Sequence, residues 1–198
     1  MGSSKNGLPV LEFRDAKALE KWLASQPSSS SGAWLKLAKL GSGATTIPRQ
    51  EAIDCALCHG WIDGQLGKFD DKYFVIRFTP RRPKSQWSAR NKARALELIT
   101  EGRMTARGLA EIDRAKSNGQ WAAAYPSQAV STVPDEFRRM LNKNKKASAF
   151  FDTLDKANRY AILYRLHHAK NAEDRKAKMA KFLGMLARGE KLHEKPRK

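Results

Sequence analysis

The spacing of hydrophobic residues changes once along the chain. In the first part, short alternating segments predict strands at residues 10–13, 33–39, 61–66 and 72–79. From Ser88 onward the hydrophobic residues recur with the period of an amphipathic helix. The pattern therefore predicts an α+β fold, in which a small N-terminal sheet with helices is followed by a helical C-terminal half.

Residues that favour helix ends divide the chain further. Asp, Ser, Thr and Pro stand where helices are expected to begin, and Gly stands where several are expected to end. The predicted starts are Asp15, Pro48, Ser88, Thr105 and Pro134, and the predicted ends are Gly60, Gly102 and Gly119. Two or three more helices are expected between residues 146 and 188.

The organisation predicted from these signals has four segments. Residues 1–8 are expected to form a flexible tail, and residues 9–130 an α+β domain. A helical region over residues 131–190 and a basic tail over residues 191–198 complete the chain. A length of 198 residues fits one domain with a helical C-terminal lobe.

The charge is strongly positive and unevenly distributed. The chain has 38 Lys and Arg residues against 20 Asp and Glu, a formal net charge of +18. Residues 72–94 contain eight basic residues and no acid, and residues 138–198 contain 18 basic and 6 acidic residues. A surplus of this size has two equally weighted interpretations, a surface that only keeps the protein soluble or an anionic partner such as nucleic acid, another phosphate compound or an acidic surface.

The two cysteines form a C-x-x-C pair, Cys55 and Cys58, near the end of a predicted helix. A reactive thiolate is favoured at a helix N-terminus, and no second pair supplies zinc ligands, so buried structural thiols are the favoured interpretation. Without a disulfide framework, a secretion signal or a membrane-length apolar run, the expected location is cytoplasmic, or nuclear in a eukaryotic cell. No metal and no cofactor is predicted.

The segment 77–91, Arg-Phe-Thr-Pro-Arg-Arg-Pro-Lys-Ser-Gln-Trp-Ser-Ala-Arg-Asn, is the strongest candidate for a binding site. It runs from a strand through two prolines into a helix start, where an anion is favoured. Guanidinium groups, hydroxyls and an indole ring that offers a stacking face would form an anion cradle. The candidate ligand-binding residues are Trp61, Arg77, Arg81, Arg82, Lys84, Ser85, Trp87, Ser88 and Asn91. The alternative, equally weighted, is that the segment crosses the surface while Trp87 packs in the core.

Asp63 and His59 are the weaker candidates for catalysis. Together with Cys58 they lie close in sequence, as a nucleophile, a base and an orienting group would. An Asp between Ile and Gly is also an ordinary turn residue, and this second interpretation is favoured.

The last predicted helix, residues 172–188, combines an apolar stripe with basic residues. The stripe consists of Met179, Phe182, Leu183 and Leu186. Such a helix can lie on an acidic membrane surface, but its stripe more often docks on its own domain. Docking in the core is therefore the favoured interpretation.

Two central motifs carry a family resemblance. Ala-Leu-Cys-His-Gly-Trp-Ile-Asp-Gly at residues 56–64, followed by the segment 77–91, resembles the YdeI/OmpD-associated family of bacteriocin-protection proteins. Further matching elements are Gly102-Arg103-Met104, Gly108-Leu109, Ala115-Lys116 with Gly119 and Trp121, and Ala169-Lys170 with Arg175. The resemblance implies a role in stress or in protection against cationic antimicrobial peptides, and it implies no agreed enzymatic reaction.

Three functional hypotheses follow. The first is a binding protein that holds an anionic ligand in the cradle, with DNA or RNA favoured because the charge is spread more widely than a small-molecule pocket needs. The second is an enzyme of unknown reaction, with Asp63 as base and His59 as acid beside the same cradle. The third is a stress factor that acts at a membrane surface through the final helix.

Overall fold

The structure is a computed structural model, and it describes residues 3–126 and 131–194. The chain divides into two compact units, Met1–Ala124 and Tyr125–Lys198. All strands of the described chain lie in the first unit, and the second is helical. The predicted α+β class is therefore confirmed, with an N-terminal sheet and a helical C-terminal half.

The N-terminal unit is built on a five-stranded sheet of order β1-β2-β3-β5-β4. The strands are β1 (Ser4–Lys5), β2 (Leu8–Glu12), β3 (Ala33–Ala38), β4 (Trp61–Lys68) and β5 (Tyr73–Pro80). Strands β2 and β3 pair in parallel, whereas the other neighbours pair antiparallel. Strands β4 and β5 form a hairpin and match the strands predicted at residues 61–66 and 72–79, and β4 extends two residues further than its sequence pattern indicated.

Four helices cover one face of this sheet: α1 (Ala16–Ser25), α2 (Arg49–Cys58), α3 (Ala89–Thr100) and α4 (Ala106–Ser117). All four begin at predicted positions, α2 directly after Pro48 and the other three after a side-chain cap. The side chains of Asp15, Ser88 and Thr105 each accept a hydrogen bond from a backbone N–H of the first helical turn. These caps satisfy donors that the helix itself cannot pair.

The core of the N-terminal unit lies between the sheet and its helices. Leu35 and Leu37 of β3 and Ile76 and Phe78 of β5 supply the sheet side. Helix α2 is buried along seven consecutive residues, including both cysteines, because it is covered on several sides. It is the central helix of the unit, which explains why its sequence lacks a clear amphipathic period.

The C-terminal unit contains α5 (Asp135–Lys143), α6 (Lys145–Thr153), α7 (Lys156–His167) and α8 (Ala172–Ala187). Its core is a second cluster of apolar side chains. The largest buried members are Phe137, Phe151, Ile162, Leu166, Met179, Phe182 and Leu186. The predicted helix start at Pro134 is present, and three helices follow it where two or three were expected.

The prediction that residues 1–8 form a flexible tail is wrong for the described part of that segment. Ser4–Lys5 pairs with Leu8 and Pro9 as a hairpin. Asn6 and Gly7 form its turn with φ of 51° and 74°, the positive values that a two-residue type I′ turn requires. Asn-Gly is the strongest short sequence signal for such a turn, so the hairpin was predictable. Residues 1–2, and residues 195–198 of the predicted basic tail, lie outside the described residues.

Candidate functional site

The segment predicted as an anion cradle is closed by its own hydrogen bonds. The N–H of Arg81 donates to the carbonyl of Gly60 at 2.9 Å, which fixes the end of β5 against the turn after α2. Ser85 then closes a tight turn with Arg82: its hydroxyl oxygen accepts from the Arg82 N–H at 2.9 Å, and its own N–H donates to the Arg82 carbonyl at 2.8 Å. The Ser88 hydroxyl accepts from the N–H of Asn91 at 3.1 Å as the α3 cap. Both predicted hydroxyl ligands are therefore used by the backbone.

Arg81 and Trp87 are buried rather than presented to a ligand. Arg81 is 6% exposed and Trp87 is 2% exposed. The guanidinium carbon of Arg81 lies 3.5 Å from the centre of the Trp87 ring, and its Nη1 donates to the carbonyl of Gln86 at 3.3 Å. Trp121 packs edge-on against the same indole at 4.8 Å. The expectation that Trp87 offers a free stacking face is wrong, because Arg81 and Trp121 already cover the ring.

A carboxylate of the protein itself stands beside this cation. Glu111 and Arg114 of α4 line the crevice together with Arg81 and Trp87, and Arg114 forms an ion pair with Glu111. Burial raises the pKa of Glu111, against the opposing effects of Arg114 and Arg81, which favour its charged form. The crevice is too narrow to admit a water molecule. The cradle is therefore filled by the fold and holds no space for a ligand.

Three other predicted ligand residues also serve the fold. Trp61 is 1% exposed and packs against Trp22, with the ring centres 5.4 Å apart, so its expected role at a ligand is corrected to one in the core. Arg77 is half-buried on the sheet face that points away from the helices, opposite Trp34 in β3. Asn91 donates from its side-chain amide to the Asp63 carboxylate at 3.4 Å.

The two candidate catalytic residues, His59 and Asp63, have separate structural roles. His59 is the C-cap residue of α2, and burial lowers the pKa of its ring. Asp63 lies on β4 and contacts the N-terminal turn of α3 through Asn91. Among the described residues no hydrogen bond joins the His59 and Asp63 side chains, and the cavities of about 690 and 410 Å³ in this unit are lined by other residues.

Many cations of the basic run over residues 72–94 are held by contacts within the N-terminal unit. Arg94 forms ion pairs with Asp54, Glu97 and Glu101, and Arg90 donates to Gln50 at 2.6 Å. The ammonium group of Lys92 donates to the carbonyl of Trp121 at 3.1 Å. Together with the buried Arg81, four of the eight cations are engaged, and Arg77 is half-buried. Lys72, Arg82 and Lys84 are exposed.

Asp54 is a buried charge that sequence reasoning missed. Its side chain is 7% exposed and lies in α2, where one carboxylate oxygen accepts from Arg94 at 2.8 and 3.1 Å. The other oxygen accepts from the Gln50 amide at 2.9 Å. An acid inside an apolar run is the signal that could have found it, because a buried carboxylate needs a cationic partner. The network joins α2 to α3 and is structural.

The C-terminal unit keeps its cations on the surface. Twelve of the fifteen basic residues that the structure describes in this unit are exposed, and of those twelve only Arg188 forms an ion pair within the described chain. The densest group comes from α5 and α6. Five exposed cations and no acid lie between Glu136 and Asp152: Arg138, Arg139, Lys143, Lys145 and Lys146. We call these five residues the α5–α6 basic cluster.

Helical periodicity explains the exposure of the α5–α6 basic cluster. Phe137 and Leu141 of α5, one turn apart, are buried in the core, as are Ala147 and Phe151 of α6. Arg138 and Arg139 lie between the two buried positions of α5 and point outward, whereas Lys143, Lys145 and Lys146 lie where α5 ends and α6 begins. The core therefore fixes the cluster on the solvent side, whereas the basic run of the N-terminal unit lies where its own acids and aromatic rings can reach it.

The apolar stripe of the final helix is buried in its own unit. Met179, Phe182 and Leu186 are at most 3% exposed, and Leu183 is partly buried against the same core. The favoured prediction of core docking is thus met by the structure. No described helix is long and apolar enough to cross a membrane.

The two thiols are buried and unpaired, as predicted. Burial raises the pKa of Cys55 to about 12 and that of Cys58 to about 11. Within residues 3–126 and 131–194, no group of three or more His, Cys, Asp or Glu side chains is arranged to hold a metal ion.

Comparison with known families divides the chain at a similar place. Residues 11–111 match a domain of unknown function (DUF8412), and residues 130–189 match the family described as bacteriocin-protection, YdeI or OmpD-associated. The motifs at residues 56–64 and 77–91 lie in the first match, whereas the second covers α5 to α8. Comparisons with curated proteins and with solved structures find no match. The chain therefore belongs to the family of the DUF8412 domain, which covers half of it, and its residues 130–189 match the YdeI/OmpD-associated family.

Proposed function

We propose that this protein binds an anionic polymer, nucleic acid foremost, through the exposed cations of its C-terminal unit. The observation that carries the proposal is the α5–α6 basic cluster, in which five cations stand on the surface with no acid between Glu136 and Asp152. Unpaired exposed cations keep their full attraction for phosphates, because no internal carboxylate neutralises them.

The acids of the same unit support this interpretation by their positions. Asp155 caps α7, and Asp174 lies in the first turn of α8, where a helix dipole favours negative charge. Asp174 also pairs with Lys178 in the same helix, and Glu190 pairs with Arg188. These carboxylates are used locally. Asp135 and Glu136 lie in the first turn of α5, one turn before Arg138 and Arg139, and they reduce the local surplus without forming an ion pair within the described chain.

A polymer is favoured over a small anion by the spread of the charge. The residues 125–198 carry 18 basic and 8 acidic residues, and the exposed cations extend from α5 to α8. A compact ligand would engage only a few of them, whereas a backbone with regularly spaced phosphates engages many. Such a surface repels cationic peptides, so protection of the kind that the family name describes would act through an anionic partner.

The location that fits this proposal is the cytoplasm, or the nucleus in a eukaryotic cell. Nucleic acid is available in both compartments. Two free thiols buried in the core also suit a reducing environment, in which they stay unpaired.

The test is fluorescence anisotropy with labelled single-stranded and double-stranded DNA and RNA. Wild type is compared with the α5–α6 variant, R138Q/R139Q/K145Q/K146Q. The matched control, R14Q/K17Q/K21Q/K72Q, removes the same number of exposed charges from the N-terminal unit. All eight side chains are exposed, so both variants are expected to keep the wild-type melting temperature within a few degrees.

The proposal predicts that the α5–α6 variant loses at least about tenfold in affinity at moderate salt and the control less than about threefold. A third variant, R82A/K84A, is expected to bind almost as wild type does. Equal losses in the α5–α6 variant and the control would mean that the charge acts as a diffuse background. If the affinity for nucleic acid depended only on Arg82 and Lys84, the binding site would lie in the segment 77–91 instead.

A further inference from the structure

A groove of about 690 Å³ lies in the N-terminal unit, away from the residues discussed so far. It is lined by the end of the β4–β5 hairpin, by Lys39 after β3 and by Arg49 at the start of α2. Its volume falls in the range typical of small-molecule sites, about 300–1,000 Å³. From its lining we propose that this groove binds a small amphipathic organic anion, with an acyl or aromatic body and one carboxylate, sulfonate or phosphate group.

The apolar part of the groove is sheet surface that no helix covers. Leu66 pairs directly with Ile76, whose side chain is in the core, so both side chains point to the helix-bearing face. Ile76 is 1% exposed, whereas Leu66 is 56% exposed. Phe69, 37% exposed, and the half-buried Phe74 complete the apolar lining. An uncovered apolar surface of this kind marks a place where a partner gains by burial.

Exposed apolar side chains form part of the lining of this groove. Of six large hydrophobic side chains that are exposed, Leu66 and Phe69 line the groove. A third, Leu40, is fully exposed and directly follows Lys39, which also lines it. Two of the six therefore line the same groove together with Phe74, whereas single exposed hydrophobic residues need no explanation.

The charged part of the groove favours an anion. Lys39, Arg49 and Lys68 line it against two carboxylates, Asp70 and Asp71. One oxygen of the Asp70 carboxylate is occupied, because it accepts from the N–H groups of Lys72 and Tyr73, each at 2.8 Å. Lys39 donates to the carbonyl of Asp70 at 2.7 Å, so its ammonium group is held at the groove.

Arg49 is the cation placed to receive the anionic group. Its side chain is exposed and forms no ion pair within the described chain. It is the first residue of α2, and the residue before it, Pro48, offers no side-chain oxygen to the free N–H groups of that helix. A guanidinium group beside a helix N-terminus that no side chain caps is complementary to one carboxylate or phosphate.

The test is an NMR titration of the ¹⁵N-labelled full chain with decanoate, kept below its micelle-forming concentration. Decyltrimethylammonium has the same chain length and the opposite charge, and inorganic phosphate has the charge without the apolar body. The variants are Leu66→Asp and Arg49→Gln. Their matched controls are Leu96→Asp, at an exposed leucine of α3 that is 48% exposed, and Arg82→Gln.

Decanoate is expected to bind saturably, with chemical shift changes in the β4–β5 hairpin and at the start of α2. Leu66→Asp and Arg49→Gln should each weaken this binding about tenfold, equivalent to roughly 1.4 kcal/mol, whereas both controls bind as wild type does. Equal binding of decyltrimethylammonium would overturn the proposal, as would decanoate binding that neither variant weakens. The absence of saturable decanoate binding would also overturn it, whether or not the protein adsorbs to phosphatidylglycerol vesicles.

Discussion

Arginines that are neighbours in this sequence have different structural roles. Arg81 and Arg82 are neighbours between two prolines, yet Arg81 is 6% exposed against Trp87 and Arg82 is exposed to solvent. The difference arises because the Arg81 N–H bonds to Gly60, which directs its side chain toward α4 and the indole. Sequence reasoning found the segment but could not assign the inward position, since that depends on a partner 21 residues away.

The pair provides a direct test. Arg81→Ala should lower the free energy of unfolding by about 2 kcal/mol or more, because it removes a desolvated cation–π contact and leaves Glu111 with one cation fewer. Nucleic-acid affinity should stay within about twofold of wild type. Arg82→Ala should change stability by less than about 0.5 kcal/mol. Urea unfolding followed by tryptophan fluorescence measures both free energies of unfolding. If Arg81→Ala kept the wild-type stability but lost nucleic-acid binding, the segment 77–91 would again be the candidate binding site.

The buried thiols should be inert in the native protein. Burial raises the pKa of Cys55 to about 12 and that of Cys58 to about 11, so almost no thiolate exists at pH 8. We expect Ellman's reagent to leave both unmodified over an hour at pH 8 and to react with both in denaturant. Rapid reaction of one thiol in the folded state would show that α2 opens locally or that the site is redox-active.

His59 should make the stability of the N-terminal unit depend on pH. Burial lowers the pKa of its ring in the folded state, so the unfolded chain takes up the proton first as the pH falls below about 6.5. Stability is therefore expected to fall between pH 7.5 and pH 5.5. All five tryptophans lie in this unit, so tryptophan fluorescence reports its unfolding. His59→Gln should reduce the pH dependence of stability. His193→Gln, at an exposed residue of the other unit, should leave it unchanged. If His193→Gln reduced the pH dependence and His59→Gln did not, His59 would be excluded as the cause.

At the scale of elements, the contact of α2 with α4 shows how closely the N-terminal helices pack. The hydroxyl of Thr105, the α4 cap, donates to the carbonyl of Cys58 at 2.6 Å at the end of α2. A Cβ atom added at Gly108 would lie 2.3 Å from the same carbonyl oxygen. One threonine and one glycine thus allow the end of α2 and the start of α4 to approach until the backbones touch.

This contact predicts opposite effects for two helical glycines. Gly108→Ala should destabilise the N-terminal unit by about 1–3 kcal/mol, because the carbonyl of Cys58 is backbone and cannot move aside. Gly184→Ala in α8 meets only the end of the Arg188 side chain at 3.5 Å and should stabilise its unit by about 0.5–1 kcal/mol. Calorimetry of the two variants gives both values. A neutral Gly108→Ala would show that α2 and α4 are further apart.

Helices and strands were the most predictable level of this molecule. The caps at Asp15, Ser88 and Thr105 and the alternation in β3 and β5 identify their elements because the signals are local. The candidate site was less predictable. Side chains that sequence reasoning assigned to a ligand, such as Trp61 and Trp87, are in the core because distant residues cover them. The Asn6-Gly7 hairpin was missed although its signal is local.

At the scale of the whole molecule, the decisive property is which of the positive charges remain exposed to solvent. The basic run of the N-terminal unit is engaged by Asp54, Gln50 and Trp87, among others, whereas the α5–α6 basic cluster remains on the surface. Net charge was readable from the sequence. Its availability to a partner was not, because pairing between distant residues decides it. This difference in exposure is the reason for proposing that the C-terminal unit binds nucleic acid.

The salt dependence of binding tests this assignment most directly. Each phosphate that a protein cation neutralises on double-stranded DNA contributes about 0.9 to the slope of log affinity against log salt. We predict that R138Q/R139Q/K145Q/K146Q lowers the magnitude of the wild-type slope by at least about 2, and that R14Q/K17Q/K21Q/K72Q changes it by less than about 1. Equal slopes for wild type and the α5–α6 variant would show that this cluster touches no phosphate and would contradict the account.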